Sequence, residues 1–289
     1  MKIIDFLKYF LQSFFLFILF FLFKILGLKI SSFISGKIFS AIGPIFRSKK
    51  RISNNLRVAF PNFSNSDIEY HSNEMWNYYG KIVSEYLFLK NFRENINNEN
   101  IEIIGEEILK QIKNNDERAI FVSGHFDNFE IMAMVIEKSG VNLSAIYRPL
   151  NNIFLNNVME ILRKKYICKK QIKKGRSNTR ELLRLFKNGS SIALMIDQRV
   201  SEGIKVNFFN KKAYTTTIPA QFVKKFNCKI VPIHIERVKD INFKVKVFEP
   251  IKFKETDSVE EITIELNSWL EKMIIKNPSK WIWSHDRWK

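Results

Sequence analysis

The stretch AIFVSGHFDNFE, residues 119–130, decides the fold class. Its first five residues carry no charge and are mostly apolar, which is typical of a strand buried on both faces of a sheet. A helical run begins at Phe126. His125 therefore lies in the loop between a predicted strand and a predicted helix, and Gly124 lets the backbone come close there. Because ligands gather at the carboxyl ends of strands in α/β sheets, we expect the imidazole to be exposed at that edge.

The rest of the chain repeats this alternation of apolar strands and helices. Continuous apolar strands separated by helices indicate a mixed, partly parallel central sheet flanked by helices, an α/β fold. The predicted strands are LSAIY (143–147), SIALMI (191–196), KIVPIHI (229–235), IKVNFF (204–209) and FKVKVF (243–248). The predicted helices cover residues 130–138, 152–165, 179–187, 219–226 and 259–275.

The front part of the chain is predicted to be helical. Apolar residues recur at three- and four-residue spacing over residues 66–90, and the most polar stretch, residues 91–100, follows. We therefore predict an anchoring segment over residues 1–30 and a main domain over 31–289. Within the main domain, a helical front part (31–98) precedes the α/β body (99–289).

The N-terminus is predicted to contact a membrane. FFLFILFFLF, residues 14–23, is an uninterrupted apolar run within a weaker apolar stretch from Ile3 to Ile30. Asp5, Lys8 and Lys24 interrupt the longer stretch, so a spanning helix and an interfacial helix both remain open. Eight lysines and arginines lie between Lys24 and Arg57, and the first acid after them is Asp67, so the positive-inside rule predicts that the main domain lies on the cytoplasmic face.

The chain is basic enough to need an anionic partner. Its formal net charge is +18 over 289 residues, so nucleic acid, phospholipid, a phosphorylated substrate and an acidic protein are all candidates. The run RKKYICKKQIKKGR, residues 163–176, carries no acid and a single aromatic residue. It lacks the stacking platform of a single-strand nucleic-acid binder and fits anionic lipid or an acidic protein better. The two cysteines lack metal-ligand spacing and suit a reducing compartment.

His125 and Glu130 form the first candidate for chemistry. A carboxylate in the first turn of the helix could hold one imidazole nitrogen while the other faces a substrate hydroxyl. It would then fix the tautomer and stabilise the imidazolium that forms when the base takes a proton. The spacing alone is weak support, because a histidine and an acid five positions apart also occur by chance.

Five ordered blocks make the chain recognisable. The segment GHFDNFE resembles the H-x4-[DE] box of the bacterial lipid A biosynthesis acyltransferases, the lauroyl/myristoyl transferase family. The other blocks follow in the order of that family: RISNNLRVAFPN (51–62), YRPLNN (147–152), MIDQ (195–198) with FFNKKAYTTTIPAQ (208–221), and NPSKWIWSHDRWK (277–289). Asp127 and Asn210 stand where the family commonly has glycine, and Phe129 stands where it usually has tryptophan.

The resemblance implies a fold like that of glycerolipid acyltransferases. It also implies transfer of a fatty acyl chain from acyl carrier protein, or from acyl-CoA, to a hydroxyl of a phosphorylated lipid A precursor at the inner membrane. His125 would be the general base and Glu130 would position it. No cofactor and no metal are expected, because a thioester is already activated for attack by a hydroxyl.

The resemblance also assigns the binding residues. Arg148 and Arg163 fall where the family keeps arginines for the phosphorylated lipid and the acyl donor. Asp197 would orient an arginine or a lipid hydroxyl, although a structural aspartate that caps the next turn is the competing interpretation. Gln198 and Asn128 are further substrate-binding candidates.

Three other functions stay open at this point. The acceptor could be another membrane lipid, such as a phosphoinositol mannoside, a lysophospholipid or an amino lipid. The chain could instead be a basic peripheral membrane protein without catalysis. A nucleic-acid binder is the third alternative, and steeply salt-dependent binding to duplex DNA would support it.

Overall fold

Seven strands form one sheet in this computed structural model, which describes residues 3–94, 100–175 and 178–289. The strand order is β1-β9-β8-β2-β5-β3-β4. The strands from β8 to β4 are parallel, β9 runs antiparallel to β8, and β1 runs parallel to β9. Two further strands, β6 and β7, form a separate hairpin. The strands are β1 (Ile101–Ile104), β2 (Ala119–Ser123), β3 (Leu143–Tyr147), β4 (Lys170–Lys173), β5 (Ser191–Met195), β6 (Ile204–Phe208), β7 (Lys211–Thr215), β8 (Lys229–Lys239) and β9 (Asn242–Val247).

Helices cover both faces of the sheet, and a buried apolar cluster fills each side. They are α1 (Ile3–Phe46), α2 (Lys49–Ala59), α3 (Asn65–Glu85), α4 (Leu89–Glu94), α5 (Glu106–Asn114), α6 (Glu130–Lys138), α7 (Ile153–Tyr166), α8 (Thr179–Lys187), α9 (Ile218–Phe226) and α10 (Val259–Lys276). Short 3₁₀ turns occupy Tyr86–Phe88 and Pro278–Lys280.

The predicted fold class is confirmed: the sheet is mixed, mostly parallel and flanked by helices. Each of the six predicted strands is present, and α6 and α8 have the predicted bounds. Three strands were missed. One of them, β4, lies within the basic run 163–176, where its lysines mask the apolar signal of a strand. Lysines are common on an edge strand because they prevent pairing with another chain.

The predicted junction between front part and body falls partly on residues 95–99, which lie outside the described residues. On either side of it, α4 ends at Glu94 and β1 begins at Ile101. The anchoring function of the N-terminal segment stays a prediction.

The long helix α1 bends at Gly27, where φ is 77° and ψ is 170°. The second half packs closely on α3, and small residues allow the approach. A methyl group at Gly80 would come within 2.4 Å of the carbonyl of Ser35, whose hydroxyl donates to the Gly80 carbonyl at 2.6 Å. The first half is apolar, and α1 is long and apolar enough to cross a membrane.

The sheet brings two loops together at its carboxyl edge. Strands β2 and β5 are parallel neighbours, and Ser123 pairs with Met195 in their register. His125 and Asp197 each lie two positions beyond that pair. They therefore leave adjacent strands at the same level and at the same edge of the sheet.

Candidate active site

His125 and Asp197 are in direct contact at the carboxyl edge of the sheet. The imidazole Nδ1 lies 2.8 Å from Asp197 Oδ1, and the backbone N–H of His125 donates to Asp197 Oδ2 at 2.8 Å. The aspartate side chain is 2% exposed and the histidine side chain is 17% exposed. The carboxylate is thus sealed inside the protein, while part of the imidazole reaches the surface.

The hydrogen bonds assign the imidazole tautomer. The side-chain amide nitrogen of Gln198 lies 3.3 Å from His125 Nε2, and an amide nitrogen can only donate. The ionised carboxylate of Asp197 can only accept, so the proton lies on Nδ1 and Nε2 is the acceptor. In this form the nitrogen on the open side carries a lone pair and can take a proton from a substrate.

Asp197 is held ionised in its buried position. Burial alone raises the pKa of this carboxyl, but the charge of His125 and the hydrogen bonds donated by His125 and Trp281 outweigh it and lower the pKa to about 2. The Trp281 indole N–H donates to Asp197 Oδ2 at 2.7 Å. A fixed negative charge beside Nδ1 stabilises an imidazolium that forms at His125.

The C-terminal segment, residues 277–289, completes the site, and sequence reasoning missed this role. Trp281 pairs with Phe126 in an isolated bridge, and the Asp127 N–H donates to the Lys280 carbonyl at 3.0 Å. His285 Nε2 accepts the N–H of Arg199 at 3.1 Å, directly after the Asp197 loop. Trp281 and Trp283 are buried in the core.

Glu130 does not hold the imidazole, so the predicted partner of His125 is corrected. Its carboxylate is bound by the guanidinium of Arg163, with a 3.1 Å bond from Nε, and by the hydroxyl of Tyr86. At the first position of α6, the side chain turns towards α7 and the end of α3, where a buried cation needs a counter-charge. Asp197 takes the position beside His125 because its strand lies next to β2.

Arg163 is likewise engaged inside the protein. It is buried, it donates to the Tyr86 hydroxyl at 2.9 Å, and it lies over the rings of Tyr86 and Tyr147. The charge of Glu130 counters the burial penalty, and the pKa of Arg163 is raised. The arginine expected to bind substrate therefore forms an internal ion pair.

Asn128 is also turned inward, contrary to the expected contact with substrate. Its amide donates to Glu85 Oε2 at 2.9 Å, and Glu85 also binds both terminal nitrogens of Arg237 and the hydroxyl of Ser32 from α1. The preceding residue, Asp127, accepts a hydrogen bond from the backbone N–H of Arg237 at 2.6 Å. This buried polar network fixes the loop that carries His125.

The remaining cationic candidates lie at the rim. Arg148 is exposed directly after β3, and Lys174 follows β4 on the neighbouring strand. Burial lowers the pKa of Lys174, and the charge of Arg148 lowers it further, while Asp197 opposes both effects. Most of the basic run lies on the surface around these residues, and Arg176 lies outside the described residues. Within the described ranges, no three His, Cys, Asp or Glu side chains gather as metal ligands.

Comparison with protein families gives one match, and it covers residues 2–289. The matching model describes the bacterial lipid A biosynthesis acyltransferases. The chain belongs to this family. A comparison with curated protein sequences gives no significant match. The resemblance carried by the five sequence blocks is thereby confirmed, and this lipid A biosynthesis acyltransferase is an enzyme that moves acyl groups.

Two departures from the family pattern have a structural explanation in this acyltransferase. Asp127 and Asn210 stand at positions where glycine is common, and both have positive φ, 40° and 58°. Aspartate and asparagine enter this left-handed region more readily than other residues with a side chain. The two substitutions therefore preserve the backbone that glycine would adopt.

Proposed function

We propose that this acyltransferase moves a fatty acyl chain from a thioester, on acyl carrier protein or coenzyme A, to a hydroxyl of a phosphorylated lipid A precursor. His125 is the general base, and Asp197 is the residue that positions it. The observation that carries this proposal is the contact of Nδ1 with Asp197, which leaves the lone pair of Nε2 facing the exchangeable amide of Gln198.

The chemistry follows from this tautomer. The acceptor hydroxyl displaces Gln198 from His125 Nε2 and gives up its proton as its oxygen bonds to the thioester carbonyl carbon. When the tetrahedral intermediate collapses, the C–S bond breaks and the imidazolium returns the proton to the leaving sulfur. The products are an ester and a thiol. The base is regenerated, so no covalent intermediate on the protein is needed.

The cationic rim supports a phosphorylated acceptor and an acidic donor. Arg148 and Lys174 follow β3 and β4 at the carboxyl edge of the sheet, and they are the residues that would bind the acceptor phosphate, because a guanidinium binds phosphate through two hydrogen bonds. Lys170 and Lys173, the exposed lysines of β4 in the basic run, offer a complementary surface for acyl carrier protein, which is strongly acidic. The apolar α1 supports membrane association, which we place at the cytoplasmic face of the inner membrane.

A reconstituted assay tests the proposed function. The full chain in detergent is incubated with an acyl donor and a phosphorylated lipid A precursor, and the products are read by mass spectrometry. We expect one added acyl chain and, in His125→Ala, a rate at least about 10³-fold lower. His71→Gln is the matched control, because His71 Nδ1 contacts the hydroxyl of Ser279 at 2.7 Å, whereas the contacts to Asp197 come from His125 and Trp281.

Two results would contradict the proposal. Full activity in His125→Ala would show that His125 is not the general base. Acylation of a lysophospholipid in place of the lipid A precursor would contradict the proposed acceptor, although the proposed chemistry at His125 would stand.

A further inference from the structure

We infer that the first half of α1, residues 3–26, lies along the membrane surface together with α7 and does not cross the bilayer. The occupant of this surface is one leaflet of a bilayer that contains anionic phospholipid. The inference rests on the membrane association in the proposed function, and it concerns how that association is made.

The first half of α1 contacts the body of the protein near both of its ends. At one end, Lys24 Nζ donates to the Leu87 carbonyl at 3.0 Å. At the other, the Ser13 hydroxyl donates to Asn152 Oδ1 at 3.0 Å, and the Asn152 amide donates to the Tyr9 carbonyl at 3.0 Å. The helix therefore runs alongside the body instead of projecting away from it.

Aromatic packing joins the same two helices. The ring of Phe154 at the start of α7 lies edge-on to Phe6 and Phe10, with centroids 5.5 and 6.0 Å away. Asn152, which bonds α1, is also the N-cap of α7 and accepts the N–H of Phe154. The N-terminus of α7 must therefore lie at the same membrane depth as Tyr9 and Ser13.

A spanning helix is excluded, because it would carry the N-terminus of α7 into the hydrocarbon core. At a rise of about 1.5 Å per residue, Tyr9 lies about 22 Å from Lys24 along the axis. With Lys24 at the interface and a tilt of about 40°, Tyr9 would still lie about 17 Å down, in the middle of a hydrocarbon core about 30 Å thick. The segment from residue 151 into the first turns of α7 would follow it there. It carries the exposed side chains of Asn151 and Asn157, which cannot be satisfied in hydrocarbon.

The pattern of exposure fits a helix that lies flat. The more protected residues of the first half lie on one side of the helix and form one stripe: Tyr9, Ser13, Leu16, Leu19, Phe20 and Phe23. The apolar side chains on the rest of the helix are exposed. One side thus packs on the protein and the other is free to enter a leaflet, which is the arrangement of an interfacial helix.

Helix α7 extends this apolar surface and adds charge to its border. Ile153 and Val158 are exposed, and Ile161 is 65% exposed, although all three are large and apolar. Exposed lysines at positions 164, 165 and 169 follow directly. Apolar side chains bordered by lysines complement the acyl chains and the negative headgroups of one leaflet.

Nitroxide depth measurements test this inference on the full chain. Cys168 and Cys228 are replaced by alanine, single labelled cysteines are introduced, and the protein is added to vesicles of phosphatidylethanolamine and phosphatidylglycerol. Depth follows from the relative access of oxygen and a water-soluble nickel chelate. The label positions are Leu11, Ile18 and Ile25 on one face of α1, Ile161 on α7, and Ile275 as a control that is 55% exposed on α10.

The three α1 labels are expected at one depth, about 5 to 10 Å below the headgroups, with Ile161 in the same zone and Ile275 in water. A depth that increases by about 10 Å from Ile25 to Ile18 would overturn the inference, because that is the gradient of a spanning helix. Ile161 in water would also overturn it. Neither result affects acyl transfer by His125 in detergent, so failure of the inference and failure of the proposed function are separable.

Discussion

Asp197 contacts His125 twice, through the imidazole Nδ1 and through the backbone N–H, at 2.8 Å each. Two bonds from one buried carboxylate fix both the position of the loop and the orientation of the ring. The proposed general base is therefore held before substrate arrives, which is the condition for efficient proton transfer.

The first prediction concerns the proton on the imidazole. We expect ¹⁵N spectra of the full chain in detergent, with the His125 signal assigned by its loss in His125→Gln, to show that the neutral ring carries its proton on Nδ1. Asp197→Asn should mix the two tautomers, because a neutral amide no longer requires a donor at Nδ1. Unchanged tautomer populations in that variant would mean that Asp197 does not determine the tautomer of the His125 imidazole.

The second prediction concerns the indole that supports Asp197. Trp281→Phe removes one donor from a buried carboxylate, and such charged hydrogen bonds contribute about 1.5 to 3 kcal/mol. We expect the pKa of Asp197 to rise and kcat to fall by about tenfold or more, with KM little changed. Trp283→Phe is the control, since its indole N–H donates to the Pro278 carbonyl, away from Asp197. An equal loss of kcat in both variants would indicate a packing effect alone.

The third prediction concerns the buried pair of Glu130 and Arg163. Glu130→Gln leaves the guanidinium buried without a counter-charge, so we expect a loss of about 3 to 5 kcal/mol in the free energy of unfolding. Adding Arg163→Met to Glu130→Gln removes the unpaired buried charge and should restore most of the lost free energy of unfolding. Urea unfolding in detergent, followed by tryptophan fluorescence, measures both variants. A double variant no more stable than Glu130→Gln would contradict this view of the pair.

Sequence reasoning predicted the position of His125 in the fold better than it predicted the contacts of the candidate site. A strand buried on both faces, followed by a loop and a helix, places His125 correctly, because that pattern is local. The partnership with Asp197 depends on β5 lying beside β2, and strand order is set by packing between distant segments. The contact of Trp281 with Asp197 is harder still to predict, because it depends on where residues 277–289 pack once the whole sheet has formed. Glu130 lies five residues after His125, as the family box requires, but its carboxylate binds Arg163 on α7 and not His125.

The fourth prediction is a pH dependence of stability. Burial lowers the pKa of His234 from 6.5 to about 4, so between these values the unfolded chain binds a proton that the folded chain does not. Stability is then fully present above pH 6.5 and falls on acidification to about pH 4. His234→Gln should flatten this part of a urea-midpoint profile. His285, whose burial also lowers its pKa to about 4, leaves a residual slope. An unchanged profile in His234→Gln would contradict the assignment.

The fifth prediction concerns the rate of acyl transfer itself. A single-turnover measurement with saturating acceptor isolates this step from product release. For Asp197→Asn we expect a rate constant about 10³- to 10⁴-fold below that of the unmodified chain, because the base keeps its place and loses its tautomer and its counter-charge. A rate constant within tenfold of the unmodified chain would contradict the claim that Asp197 and His125 work together.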